Sequence, residues 1–372
     1  MVVLKALFWG SLGALAWTHA GYPGAAALAA RLRPRPVRKA DELPSVSVIV
    51  AAHNEEDVIA RRLENLLALD YPPEKLELVV ASDASTDATD EIVERVDGVR
   101  LIRCSRGGKV AAQNRAVRET RGEILAFSDA NAAWPRDALR TLVRSFADPD
   151  VAYVSGRATY ADADGSNREG AYWRFELWLR EQESRLGSIT GGNGPIYAVR
   201  RADYVDVDPR FGHDLALPYL MVQRGRRAVY ERDARSVEKP SAELEDEYRR
   251  KVRMFEHCWA IVREGRMLRT VDPVYFVELV SHRHLRYASG LLHLLLLGSS
   301  AALAREGGVY AGALAGQVGF LGLAAAGRAR LPVPGAALAY YYVLVTWATV
   351  EALRGYIRSG VPAVWEKAAG TR

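Results

Sequence analysis

The sequence predicts an α/β domain with a mostly parallel sheet, carried between apolar helices. Three observations predict it. From residue 44 to about 150, a short apolar run, a polar turn and a stretch of helical periodicity follow one another four times. Strands alternating with helices at this spacing read as βαβ units and a parallel sheet. The two ends of the chain are rich in Ala, Leu and Gly and nearly uncharged, while charge crowds into the middle. Finally, 49% of the 372 residues are hydrophobic and 26% charged, enough for one large domain or two ordinary ones.

The amino-terminal segment 6–30, "ALFWGSLGALAWTHAGYPGAAALAA", contains no Asp, Glu, Lys or Arg. A helix needs roughly 20 such residues to cross a bilayer, and Pro23 is expected to kink this one or mark an end. A cleaved signal peptide is the bland alternative. The cluster "RLRPRPVRK" follows, against Lys5 alone on the other side. The positive-inside rule then places the amino terminus outside and residue 31 onward in the cytoplasm. Three further candidate spans close the chain, at about 286–304, 309–327 and 333–353. Arg328 and Arg330 join the last two, and the same rule sets that link inside.

In the middle, "PSVSVIVAAHNEEDVIARRLENLLAL" turns from a β-branched run into a helix. "KLELVVASDASTDATDEIVERV", "VRLIRCSRGGKVAAQNRAVRET" and "GEILAFSDANAAWPRDALRTLVRSF" repeat the pattern. Ligands in such sheets sit at the carboxyl ends of the strands, where "HNEE", "SDAST" and "SDAN" lie. No GxGxxG follows the first strand and no GxxxxGK[ST] occurs, so dinucleotide and P-loop readings fall away. The net charge of +5 and pI near 9.1 fit a membrane surface or an anionic substrate. The basic residues are dispersed, so no nucleic acid is expected. Cys104 and Cys258 form neither a metal spacing nor a disulfide framework.

Several residues carry chemistry. Asp129 and Asn131 are two apart and share one face of an extended chain. A hard ion such as Mg²⁺ takes oxygen ligands and few protein groups; an Asx-type turn closing a strand uses the same residues. Capping explains Ser85, Thr86 and Asp87 and serves equally for Asn54. The glycines of "GSITGGNGPIYAVRR" permit close backbone approach. Residues 172–184 read as an amphipathic helix whose aromatic residues pack in a core. "DPVYFVELVSHRHLRY" reads as a helix on the inner membrane surface with Tyr275 and Phe276 at the interface. His282 and His284 on it are interfacial rather than a metal pair.

"VSVIVAAHNEE", "ASDASTDAT", "GGKVAAQNRA", "FSDAN", "GGNGPIYAVRR", "HDLALPYLMVQRG", "RRKVRMFEHCW" and "SHRHLRY" occur in this order over roughly residues 44–287. The series resembles the family 2 glycosyltransferases, and within them the membrane-embedded branch similar to hyaluronan, poly-N-acetylglucosamine and cellulose synthases. The resemblance implies a GT-A fold and an inverting, metal-dependent transfer from a nucleotide sugar, UDP-linked, to a lipid-linked or polysaccharide acceptor. Asp214 is then the catalytic base. Ala52, Asn54, Glu55, Asp83, Lys109, Asn114, Ser128, Asp129, Ala130, Arg250 and Arg253 bind the nucleotide sugar. Gly191, Gly192, Asn193, Gly194 and His213 line the acceptor site. Asp129 and Asn131 hold Mg²⁺ or Mn²⁺. Three departures stand out: Asn131 replaces an acid, His213 replaces the first acid before the base, and Arg253 is kept without the Gln and Trp of the processive synthases.

The expected organisation is a transmembrane helix at 1–30, a basic linker at 31–43 and a cytoplasmic catalytic domain at 44–235. Basic and interfacial helices follow at 236–284, three transmembrane helices at 285–357 and a tail at 358–372. Implied partners are the donor, the acceptor and membrane lipids, with a homo-oligomer or pathway partners left open. The implied location is a multi-pass protein of the inner membrane. A processive synthase that also extrudes its product, and a catalytically inactive scaffold of the same fold, are the rival readings.

Overall fold

The structure, a computed structural model of the chain, describes residues 1–160, 170–238 and 244–364. The expected tail therefore lies outside the described residues from 365 onward. Two compact units emerge, one made of Met1–Ala25, Glu243–Arg263 and Leu279–Val361, the other of Ala26–Ala242, Glu264–Glu278 and Pro362–Arg372.

The amino-terminal helix α1 (Val2–Ala16) passes through a π-helical turn (Trp17–Gly21) into α2 (Tyr22–Leu32). Pro23 is the second residue of α2, directly after the π-helical turn. A proline withholds its N–H from the carbonyl of the preceding turn, and the wide π-helical turn lies there. The backbone adjusts at the wide turn before it. There Thr18 donates its hydroxyl to Ser281 O at 2.6 Å and the Trp17 indole donates to Ser281 Oγ at 2.9 Å.

The α/β unit starts with β1 (Val46–Ala52), α3 (Glu56–Leu67), β2 (Leu76–Asp83), α4 (Thr89–Glu94), β3 (Val99–Cys104), α5 (Lys109–Glu119), β4 (Ile124–Asp129) and α6 (Ala138–Val143). It continues with β5 (Val151–Tyr160), α7 (Ala171–Leu186), β6 (Tyr197–Arg200), α8 (His213–Gln223) and β7 (Arg227–Glu238). The strands order β3-β2-β1-β4-β6-β5-β7. β1 to β4 run parallel, as the alternation predicts; β6 runs antiparallel to both neighbours, and β5 pairs parallel with β7. Val46, Val48, Ile49 and Val50 are fully buried on both faces of β1, as expected for a central parallel strand covered by helices. The register sets Ala51 beside Asp129, Ala52 beside Ser82 and Asp83 beside Cys104. The polar clusters after β1, β2 and β4 thus share one edge of the sheet.

In the helical unit, α9 (Leu244–Glu264) precedes α10 (Pro273–Glu278), which belongs to the α/β unit. A π-helical turn (Leu279–His284) leads into α11 (Leu285–Tyr287), α12 (Ser289–Leu303), α13 (Gly308–Arg328) and α14 (Ala336–Ser359). Among the described residues two helices, α13 and α14, are long and apolar enough to cross a membrane. By length and composition the expected count of four is therefore met by two of its members. α1 and α12 have 15 residues each, but α1 runs on through its π-helical turn into α2, and α12 follows a π-helical turn and α11. α1 packs on α12 through Phe8, Leu15, Leu296 and Leu303. The Trp259 indole on α9 donates to Thr349 O of α14 at 2.9 Å. Tyr275, expected at the membrane interface, is instead 2% exposed. Its hydroxyl donates to Ile189 O at 3.1 Å, so it braces the α/β unit.

Candidate active site

The site is built outward from strand ends. After β1, Asn54 takes a left-handed φ of 55°, a conformation Asn tolerates better than most residues. Its N–H donates to Ser85 Oγ at 3.2 Å, and its Oδ1 accepts from Thr86 N at 2.8 Å. Glu55 N donates to Thr89 Oγ1 at 2.7 Å. The turns after β1 and β2 are therefore laced together. Asp83, 2% exposed, accepts from Gly107 N at 2.7 Å, from Gly108 N at 3.0 Å and from the Arg106 guanidinium. Gly108 has a φ of 89°, and the Ala363 backbone covers its open side; any side chain there would be strained and would clash. Asp83 thus latches the glycine turn that delivers Lys109 to the start of α5.

Lys109 Nζ donates to Asp129 Oδ1 in an ion pair, with both side chains about a quarter exposed. Behind Asp129, Ser128 is fully buried and accepts on its Oγ from Arg62 at 2.6 Å. Arg62 lies 4.8 Å from the Trp134 ring centroid and donates to Asn65 Oδ1 at 2.5 Å. Asn65 in turn bonds both backbone groups of Trp134, so a buried cation organises the loop that carries Asp129, Ala130 and Asn131. Burial lowers Arg62 to about 9, with Asp129 and then Glu238 pulling the other way. The sequence reading did not single out Arg62. The available signal was its place in the apolar stripe of α3 with Val58, Ile59, Leu63 and Leu66, where an arginine is out of pattern.

The second wall is the loop 188–194. Gly192 N donates to Asp214 O at 2.6 Å. Asn193 N donates to Ser155 Oγ at 3.0 Å, its Nδ2 to Gly156 O at 2.6 Å, and its Oδ1 accepts from Arg180 at 2.6 Å. Glu183, fully buried, accepts from Thr190 N and Oγ1 at 3.2 and 3.1 Å. Gly191 and Gly192 are buried and Gly194 is half-buried. A methyl group on Gly192 would fall on the Tyr153 hydroxyl. One on Gly194 would sit 3.6 Å from Asp129 Oδ2, 3.6 Å from Lys109 Nζ and 3.9 Å from Asp214 Oδ2. Gly194 therefore marks the point where these three charges converge.

Burial pushes the Asp214 carboxyl above its ordinary value; Lys109 pulls it down and Asp129 adds to the rise. Burial works against the Lys109 ammonium too, but Asp129, Asp214 and Glu238 outweigh it and hold the lysine above its usual range. The result is a charged cluster with one carboxyl primed to accept a proton.

The neighbouring residue, His213, faces away from that cluster. It is 3% exposed. Its Nδ1 lies 3.0 Å from the Tyr197 hydroxyl, and its Nε2 lies 3.2 Å from Asn114 Oδ1 and 3.3 Å from the Tyr204 hydroxyl. Burial, then Lys109, lowers its pKa to about 3, so the ring is neutral. Asn114 is spent on the same network, donating to Val207 O at 2.8 Å and accepting from Tyr204 at 2.6 Å. Phe127, Tyr197 and Tyr153 stack behind it. The geometry makes His213 and Asn114 supports of the site wall. Arg250 and Arg253 lie on α9 in the helical unit, where Arg250 is paired with Glu247 at 2.8 Å.

Among the described residues no cluster of three or more His, Cys, Asp or Glu side chains is arranged to hold a metal. The donors near Asp129 are hard oxygens, the set that suits an ion keeping most of its ligands as water and phosphate.

The architecture and the carboxylate cluster define a GT-A type transferase fold. Residues 47–207 match the model of "Glycosyl transferase family 2", and this segment carries the similarity to that family. Similar proteins include "Beta-monoglucosyldiacylglycerol synthase" of Nostoc sp. (strain PCC 7120), 33% identical over 211 residues, 54% of this chain and 45% of that protein. "Poly-beta-1,6-N-acetyl-D-glucosamine synthase" of Staphylococcus aureus is 24% identical over 54% of this chain and 51% of its own. The chain thus matches about half the length of these curated relatives. Among solved structures, the mannosyltransferase PcManGT from Pyrobaculum calidifontis in complex with GDP-Man and Mn²⁺ superposes with a TM-score of 0.71 at 25% identity. The match covers 96% of this chain and 98% of that one.

Proposed function

We propose that this chain is an inverting glycosyltransferase that moves a sugar from a nucleotide sugar to a lipid-linked or carbohydrate acceptor at a membrane. The convergence of Asp129, Lys109 and Asp214 around Gly194 carries the reading. A single displacement needs an acceptor oxygen stripped of its proton on one side of the anomeric carbon and a stabilised diphosphate leaving group on the other.

Asp214 takes the proton. It is the carboxyl that burial and Asp129 push toward protonation, and a base so tuned works nearer its operating pH. Lys109, held at the start of α5 by the Asp83 latch, faces the leaving diphosphate with its ammonium. Asp129, with the Asn131 amide beside it, would hold Mg²⁺ or Mn²⁺; such an ion neutralises diphosphate charge as the glycosidic bond breaks. Asn193 and its glycine neighbours shape the acceptor wall, fixed by Arg180 and Glu183. The Asn54, Glu55 and Asp83 turns form the floor for the nucleotide.

The membrane setting rests on α13 and α14. Four spans, an outside amino terminus and a cytoplasmic catalytic unit remain the reading of the basic clusters. A panel of UDP- and GDP-sugars, assayed for nucleotide release with Mn²⁺ or Mg²⁺ and a membrane extract, tests the proposal. GDP-sugars belong in it because the solved relative holds GDP-Man. No release from any donor would sink it. Product length then separates single addition from polymerisation.

A further inference from the structure

We propose that Glu238, at the end of β7, supplies the second carboxylate of the cation site that Asn131 lacks. The inference rests on the reading of Asp129 as a cation-holding residue and deepens it.

Position comes first. The loop after β4 is tied to the end of β7 by an isolated antiparallel bridge. Ala133 N donates to Val237 O at 2.9 Å, and Val237 N donates to Ala133 O at 2.8 Å. In an antiparallel pair the next residue on one strand faces the previous residue on the other. Glu238 therefore lies opposite Ala132, one residue from Asn131 and three from Asp129. Ala132 and Glu238, 106 positions apart, are brought together by a bridge outside the main ladder, although β4 and β7 are not sheet neighbours.

Electrostatics comes second. Asp129 and Glu238 are the two carboxylates that act on the buried Arg62 guanidinium, and both act on Lys109. Both carboxylates therefore act on the same two cations, as the backbone bridge would have them do. In this structure Lys109 bonds Asp129. Its ammonium is the positive charge that Asp129 holds here, with Glu238 adding to the attraction.

Chemistry comes third. Asn131 offers one neutral carbonyl oxygen where an acid would offer a charge. A hard divalent ion is bound more weakly by Asp plus Asn than by two carboxylates, since ligand charge sets much of the affinity. Glu238 restores the count of negative charges without restoring the sequence motif. An acid on a different strand gives no local spacing to read, because the two oxygens meet only through the fold. Lys109 then exchanges places. It neutralises the acids in the resting protein and is released toward the donor diphosphate when an ion arrives.

The test is Mn²⁺ binding by the full-length protein in detergent, followed by loss of the free-ion electron paramagnetic resonance signal, with Mn²⁺ alone and with UDP or GDP present. Glu238→Gln should raise the apparent Kd about tenfold or more. Asn131→Asp placed in that background should recover most of the affinity. Asp129→Asn is the control for the site itself. If Asp129→Asn abolishes binding while Glu238→Gln titrates like the parent protein, Glu238 is a structural counter-ion of Arg62 and the inference is overturned. If Glu238→Gln weakens binding but Asn131→Asp recovers nothing in a chain with an unchanged thermal melt, the two positions do not substitute for one another and the inference is likewise overturned. If the parent protein and Asp129→Asn bind Mn²⁺ equally, the metal reading of the whole site fails.

Discussion

His213 and Asp214 are adjacent in sequence and belong to opposite kinds of region. Asp214 joins an open cluster with Lys109 and Asp129, where opposite charges lie together and burial shifts the carboxyl upward. His213 joins a closed network with Tyr197, Tyr204 and Asn114, where the hydrogen-bonding atoms of the ring are bonded and no charge is carried. At the start of a helix, neighbouring side chains point about 100° apart. One dipeptide therefore sends one side chain into the charged cluster and the next into the buried network. The difference teaches that nomination by motif does not assign a role; the face of the helix does.

The largest expected effect tests the open side. Asp214→Asn should lower kcat by ~10²–10⁴, the range for loss of a positioned base, read as nucleotide release per enzyme. Stability should not fall with it. A carboxyl whose folded pKa is raised disfavours the folded state as pH rises through the unfolded pKa and up to the folded one, so at neutral pH the amide is neutral or stabilising. A large drop in melting temperature would place Asp214 in the wall with His213 and erase the contrast.

The closed side should answer in the opposite currency. His213→Ala removes a buried ring and orphans three polar partners, and should cost about 2–4 kcal/mol of stability, measured by denaturant unfolding. Activity per folded molecule should change by less than about tenfold. If kcat collapses while stability holds, the ring acts on substrate.

The same histidine sets an acid limb. Its folded pKa of about 3 lies below the ordinary histidine value of 6.5, so the unfolded chain binds its proton first. Stability from this group is present above about pH 6.5 and is lost as pH falls toward 3, by about 2 kcal/mol at pH 5. His213→Gln should flatten that limb in melts between pH 7 and 5; an unchanged slope would show that the ring is protonated in the folded protein.

The smallest effect sharpens the floor of the open side. Asn54→Ala removes one acceptor from the Thr86 N–H and should cost ~1 kcal/mol. The donor KM should rise more than kcat falls, because the turn positions the nucleotide and not the reacting atoms. Equal changes in both would place Asn54 at the chemistry.

Much of the fold was legible. β-branched runs followed by 3.6-residue periodicity announced β1 to β4 and their helices, because burial between layers imposes that pattern on a central parallel sheet. The antiparallel β6 was not legible: four residues from Tyr197 to Arg200 carry too little pattern to give a direction. The spans were harder to count, since π-helical turns divide the apolar stretches into shorter α-helical segments.

By itself the sequence determined the strand–helix alternation, the polar clusters at strand ends and the acids that nominate the site. These depend on near neighbours in the chain, where spacing fixes which side chains share a face. Only the tertiary structure decided that Asp83 latches the turn of Lys109, that Arg62 underpins the Asp129 loop, that His213 turns into the wall, and that Glu238 arrives beside Asn131. Each of those joins residues from separate elements. Electrostatic and hydrogen-bonding partners are chosen by distance in space, and distance in space between separate elements is set by packing, not by order along the chain.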